Sequence, residues 1–159
     1  MDVAEVQASE RNFVGVEIRR NVVKEAVREV ERRGLKNITF LHASMNYHQE
    51  KLLKLLPALV SSVSIFHPDP WMKKRHYKRR LVTKEFVEEM GGHLPNGTPI
   101  YVQTDVEELF AYMVDVFEIS QLYDYEALFK NPLGMPTDRE NFVLKSGGEI
   151  FRAKFIVRP

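Results

Sequence analysis

The sequence predicts an α/β fold, doubly wound around a mostly parallel sheet. Short β-branched and aromatic runs alternate with stretches whose apolar residues fall at helical spacing, the signature of βαβ units. The last two apolar runs have no helical pattern between them, so an antiparallel pair is expected at one edge.

Asn12–Ile18 (NFVGVEI) reads as a buried strand. Asn21 is the expected cap of a helix carrying Val22, Val23, Ala26, Val27 and Val30, and Gly34 ends the pattern. Asn37–Leu41 is the second strand, and Leu52, Leu53, Leu55 and Leu56 mark a helix that stops at Pro57. Val60–Phe66 is the third strand, closed by His67-Pro68-Asp69-Pro70. Thr83 caps a helix with Phe86, Val87 and Met90 inside, ending near Gly91-Gly92. Leu94-Pro95-Asn96-Gly97 is a turn, and Pro99–Gln103 the fourth strand. Asp105 with Glu108 reads as a cap for a helix carrying Leu109, Phe110, Met113, Val114 and Phe117. A fifth strand is expected near Phe117–Leu122, then a long loop over residues 123–148, with Gly147-Gly148 as a hairpin turn. Ile150–Val157 alternates Phe151, Ala153, Phe155 and Val157 against Arg152, Lys154 and Arg158, a last strand.

The 159 residues suit one domain. With 44% apolar and 28% charged residues the composition is that of a chain with a packed core. The net charge of +1 says nothing about partners, so only charge distribution can. The absence of cysteine excludes disulfides, thiolate metal sites and a cysteine nucleophile, and it suits an intracellular, reducing compartment. No run approaches the length of a membrane span, and the acidic start lacks the apolar segment of a signal peptide. Five histidines without ligand spacing give no metal site.

In open α/β sheets ligands bind beyond the carboxyl ends of the strands. Three acids stand there: Glu17, Asp69 and Asp105. A carboxylate in the position of Glu17 can accept from ribose hydroxyls; alternatively it is a solvated surface group. Asp105 alone would read as an N-cap. Two prolines restrict the backbone around Asp69, and Trp71, the sole tryptophan, can stack on a base. A rigid turn with a buried tryptophan is the plainer reading. Lys73-Lys74-Arg75-His76-Tyr77-Lys78-Arg79-Arg80 follows, with six of the 23 basic residues in eight positions. Interleaved with aromatics, this suits RNA, through Trp71, Lys74, Arg75, His76, Lys78, Arg79 and Arg80. The same spelling also serves a nuclear import signal or a solvated charge run.

Phe66–Arg80 (FHPDPWMKKRHYKRR) resembles the signature PDPW-x-K-x-RH-x-KRR of the tRNA (guanine-N7)-methyltransferases. FVGVEIR at Phe13–Arg19, QTD at Gln103–Asp105 and PTDRE at Pro136–Glu140 are similar to three further blocks of that family, in order. The resemblance implies a Rossmann-like class I methyltransferase sheet, S-adenosylmethionine as cofactor and tRNA as partner. It implies that Glu17 binds the cofactor ribose, that Ser44 stands near the adenine where the family usually has Asp or Asn, and that Asp69 is the active-site acid, also touching cofactor. Lys73, Asp105, Thr137, Asp138, Arg139 and Glu140 match substrate-contacting positions. Class I methyltransferases open with a strand and a glycine-rich turn, whereas this sequence contains no G-x-G. Residues 1–6 instead resemble the end of the helix that follows that turn. The expected fold is therefore a single domain truncated at its N-terminus, with a gap between the strands at 13–18 and 60–66 and weakened cofactor binding. The alternative is a methyltransferase-like RNA-binding protein that works without cofactor, or an inactive fragment.

Overall fold

A computed structural model describes residues 11–159. The helix end expected at residues 1–6 lies outside the described residues. The chain divides into two compact units, the first ending at His48 and the second covering Gln49–Pro159.

In the first unit, β1 (Phe13–Glu17) leads into α1 (Arg20–Arg33) and β2 (Ile38–His42). The two strands pair in parallel, with Glu17 opposite His42. The helix starts two residues before the position that Asn21 would set. Arg19 is its N-cap, without a side-chain cap bond. The N–H of Arg19 instead donates to Glu17 Oε1 at 2.8 Å, so the strand-end carboxylate serves the turn. Gly34 ends α1 as expected: its φ is 65°, and its N–H and that of Leu35 bond back to Glu31 and Val30. Helix α2 (Met45–Leu55) begins in this unit and continues into the second.

The second unit carries β3 (Val63–Phe66), α3 (Lys84–His93), β4 (Pro99–Thr104), α4 (Glu107–Ser120), β5 (Tyr123–Ala127), α5 (Asp138–Lys145) and β6 (Phe151–Val157). Its sheet has the order β3-β4-β6-β5. β3 and β4 are parallel, and β6 runs antiparallel to both β4 and β5. The antiparallel edge pair is thus present, while β1 and β3 belong to separate sheets.

Three expectations need correction here. The apolar run at 117–122 is not a strand: α4 continues to Ser120, and its inner residues Leu109, Met113, Val116 and Phe117 are buried. Gln121, at φ 58°, then turns the chain into β5. The stretch 123–148 is not one loop, because it holds β5 and α5. Thr137 accepts from the Glu140 N–H at 3.1 Å, so T-D-R-E is an N-cap where a loop was expected. Gly147, at φ 75°, and Gly148 close α5 rather than a hairpin. Helix α3, capped by Thr83 as expected, passes through Gly91 and Gly92 to His93. A side chain at 91 would meet the Tyr123 hydroxyl and Leu122 at 3.0 Å, so packing against β5 places glycine inside this helix.

The core lies between the sheet and helices α3 and α4. Phe117 stacks on Phe155 with ring centroids 4.0 Å apart and 8° between planes, and meets Tyr123 edge-on at 5.0 Å. The Tyr123 hydroxyl donates to Val87 O at 2.7 Å, and burial pushes its ionisation well above the ordinary phenol range. Phe117→Ala should cost about 3–5 kcal/mol, because a ring and its stacking partner's contact are both lost. A lowered midpoint in urea unfolding checks this; an unchanged midpoint would place the core elsewhere.

Candidate active site

Parallel pairing brings the carboxyl ends of β3 and β4 side by side, with Phe66 opposite Gln103. Because β6 is antiparallel, its first residues Phe151 and Arg152 arrive at that same rim, Arg152 opposite Gln103. β5 ends there as well, Ala127 facing Ala153, and the chain leaves it for α5. Four strand ends therefore supply one rim.

At its centre Gln103 is fully buried. Its Oε1 accepts from Arg152 Nε at 2.9 Å. Its Nε2 donates to Glu140 Oε2 and to His67 Nε2, both at 3.0 Å. Glu140, 3% exposed, also accepts from Asn131 Nδ2 at 2.6 Å and pairs through Oε1 with the Arg152 guanidinium. Burial pushes the Glu140 pKa up, but the bonds from Asn131, Gln103 and Arg152 outweigh it and hold the carboxyl below its ordinary range. His67 Nδ1 lies 3.0 Å from Asp105 Oδ1. Arg139 reaches Asp105 from α5, with its terminal nitrogen 2.6 Å from Oδ2. The Arg139 bond is the main reason that the Asp105 carboxyl lies low; burial opposes it and the His67 bond adds to it.

Asp105 therefore does not cap α4. The N-cap is Val106, and the strand-end carboxylate turns to His67 and Arg139. Glu108, expected to complete that cap, accepts from the Tyr77 hydroxyl at 2.7 Å instead.

The run His67-Pro68-Asp69-Pro70-Trp71 is more constrained than its prolines indicate. His67 and Trp71 have φ values of 50° and 43°. Left-handed backbone at non-glycine residues costs on the order of 1–3 kcal/mol each and clusters where function needs it. The His67 N–H still bonds to Gln103 O at 2.7 Å, which extends the β3–β4 ladder by one residue before the chain turns away. Asp69 stands exposed between the prolines, and its carboxylate accepts no hydrogen bond from the described residues.

Lys74–Arg79 forms a 3₁₀ helix, with three residues per turn. Burial and ring contacts sort the basic run. Tyr77 and Arg80 face inward. His76 and Arg79 flank Trp71, with ring centroids 5.7 Å apart for His76 and the guanidinium 5.1 Å from the indole centroid for Arg79. Lys73, Lys74, Arg75, Lys78 and Arg79 are exposed. Arg80 is a correction to the expected RNA contacts. It is 1% exposed, donates to Pro70 O at 2.8 Å, and lies over the rings of Tyr77 and Tyr112 at 3.7 and 4.5 Å. Its charge holds the turn to α4 and does not face solvent. Among the other expected substrate contacts, Asp138 and Arg139 are exposed, Thr137 caps α5, and Glu140 is interior.

In the first unit, Glu17 ends β1, and Ser44 comes two residues after β2, its paired neighbour. Glu17 accepts from Arg19 Nε and a terminal guanidinium nitrogen, each at 3.1 Å, and Arg19 lowers its pKa against a smaller opposing effect of burial. Glu17 thus offers an ionised acceptor at the end of β1, and Ser44 a hydroxyl two residues past β2, groups whose chemistry suits ribose hydroxyls and a base. His67, Gln103, Asn131 and Arg152 were not foreseen as members of the network. A glutamine in an otherwise apolar strand was the one available signal, since a buried amide needs partners.

The sequence profile of a family described as "Putative methyltransferase" matches residues 1–153. A tRNA (guanine-N(7)-)-methyltransferase of Microcystis aeruginosa is 37% identical over 163 aligned positions, covering 99% of this chain and 77% of the relative. The chain belongs to this family. A tRNA (guanine-N(7)-)-methyltransferase of Synechocystis is 41% identical over 81% of the chain, which spans 63% of that relative's length. Among solved structures, an rRNA methylase from Streptococcus thermophilus has a TM-score of 0.56 at 13% identity, covering 98% of this chain and 92% of its own. That likeness supports the fold of this methyltransferase family member. No helix among its described residues is long and apolar enough to cross a membrane.

Two outcomes follow for stability. Glu140→Gln leaves Arg152 buried without its counter-charge and should cost about 3–5 kcal/mol, read by urea unfolding. The depressed carboxyls of Glu140 and Asp105 stabilise fully above the ordinary carboxyl range and cease to do so as pH falls through their lowered values, so stability should drop on the acid side. The Gln variant should flatten that drop. Separately, Arg80→Met should lower the melting temperature, while Lys78→Ala leaves it unchanged.

Proposed function

We propose that this chain transfers a methyl group to N7 of a guanine in tRNA. The observation that carries the reading is Asp69: an exposed carboxylate without protein partners among the described residues, on a doubly turned backbone, next to five exposed cations. Its matching relatives, named for this reaction, support it.

N7 of neutral guanine carries a free lone pair, so no base has to remove a proton before attack. The protein's work is therefore orientation. Asp69 accepts from the guanine N1–H and the exocyclic amine, which fixes the base and favours the positive charge that develops on the ring. S-adenosylmethionine, when bound, supplies an electrophilic methyl on a sulfonium. Glu17 would accept from its ribose hydroxyls in place of the Arg19 guanidinium, and Ser44 would meet the adenine. Lys73, four residues from Asp69, contacts the target nucleotide, and Asp105 with the start of α5 completes the substrate side. Lys74, Arg75 and Lys78 hold phosphates, and Trp71 offers a ring to a base.

Methyl incorporation from labelled cofactor into tRNA, located at N7 by reduction and aniline cleavage, tests the reading. Asp69→Ala should nearly abolish incorporation while tRNA affinity survives. Replacing Lys74, Arg75 and Lys78 by Ala should lower the slope of log affinity against log salt by about 2, at roughly 0.7–0.9 per phosphate lost. Unchanged turnover in the first variant would reduce Asp69 to a turn residue, and an unchanged slope in the second would remove the RNA surface.

A further inference from the structure

We propose that His67 is a positioning residue for this reaction: Gln103 locks its ring in the Nδ1–H tautomer, in which it holds Asp105 from inside. The proposal rests on the function just given, in which Asp105 faces substrate.

The Gln103 oxygen is taken by a guanidinium that can only donate. Its amide nitrogen must therefore face both Glu140 and His67, and its two hydrogens suffice for that. His67 Nε2 is thus an acceptor, and the proton of the neutral ring sits on Nδ1, directed at Asp105 Oδ1. Asp105 then has two donors of different kinds. His67 is 12% exposed and anchored by the sheet; Arg139 is 53% exposed and comes from the start of α5. The outer donor is the exchangeable one. A nucleotide that offers N–H or O–H groups can replace Arg139 at Oδ2, while His67 keeps the carboxylate in place. The same residue, through its positive φ, sets the direction in which Pro68-Asp69-Pro70 leaves β3.

The full chain, labelled with nitrogen-15 histidine, gives the first test. Long-range proton–nitrogen spectra at neutral pH should show His67 as a single Nδ1–H tautomer, assigned by its loss in His67→Asn. An Nε2–H ring would overturn the proposal. Gln103→Met removes the amide and should abolish the single-tautomer pattern; persistence of that pattern would overturn it as well. His67→Ala should shift the carboxylate carbon signal of Asp105. His67→Asn, whose amide can donate from the Nδ1 position and tolerates positive φ, should restore it. In the methylation assay His67→Ala should lose about tenfold to a hundredfold in kcat with tRNA affinity kept, and His67→Asn should recover most of it. Equal loss in both variants would reduce His67 to a structural residue. Absence of methylation by the unaltered chain, with the tautomer and the Asp105 response intact, would refute the function and not the positioning.

Discussion

The side chain of Gln103 permits one orientation. Arg152 donates to its oxygen, and Glu140 and His67 accept from its nitrogen, with Gln103 and Glu140 themselves buried. From this amide the rim is organised in both directions. Toward α5, the Glu140–Arg152 pair ties the segment after β5 to the start of β6, and Asn131 joins it from the intervening loop. Toward β3, the histidine ring carries the orientation to Asp105. A buried polar network of this kind is stable only when every member is satisfied, and satisfaction here makes it directional.

Charge of opposite kinds is separated by burial. Arg80 is interior and laid on aromatic rings, and Arg152, 10% exposed, is paired with Glu140, whereas Lys73, Lys74, Arg75, Lys78 and Arg79 are exposed on one short 3₁₀ helix and its N-cap. No acid interrupts the run. Arg80 fastens the helix to Pro70 and α4, so the exposed cations are displayed on an anchored platform. The acids divide likewise. Glu140 and Asp105 are engaged and held ionised, and Asp69 is left without a protein partner among the described residues.

The local elements were largely readable from the amino acids. β1, α1 and its Gly34 stop, the Thr83 cap, β4 and β6 follow from apolar periodicity and from cap and turn chemistry, which depend on neighbours a few residues apart. Glu17, Asp69 and Asp105 at strand ends were legible in the same way. α5 was not, although T-D-R-E spells a cap, because the surrounding prolines and glycines spell a loop. The end of α4 at 117–120 was not either, because an apolar helix end and an apolar strand have the same spelling over so short a stretch.

What the sequence determined by itself is the alternation of elements, the family signature and the presence of an acid after each of three strands. What only the tertiary structure decided is which of those acids stays open and which cations reach solvent. The antiparallel course of β6 sets Arg152 opposite Gln103, forty-nine residues away. That long-range register, with the left-handed turn at His67, engages Asp105 and leaves Asp69 exposed. Spacing along the chain encodes helix and strand because those bonds are local, whereas the partner of a buried side chain is set by which strands lie side by side.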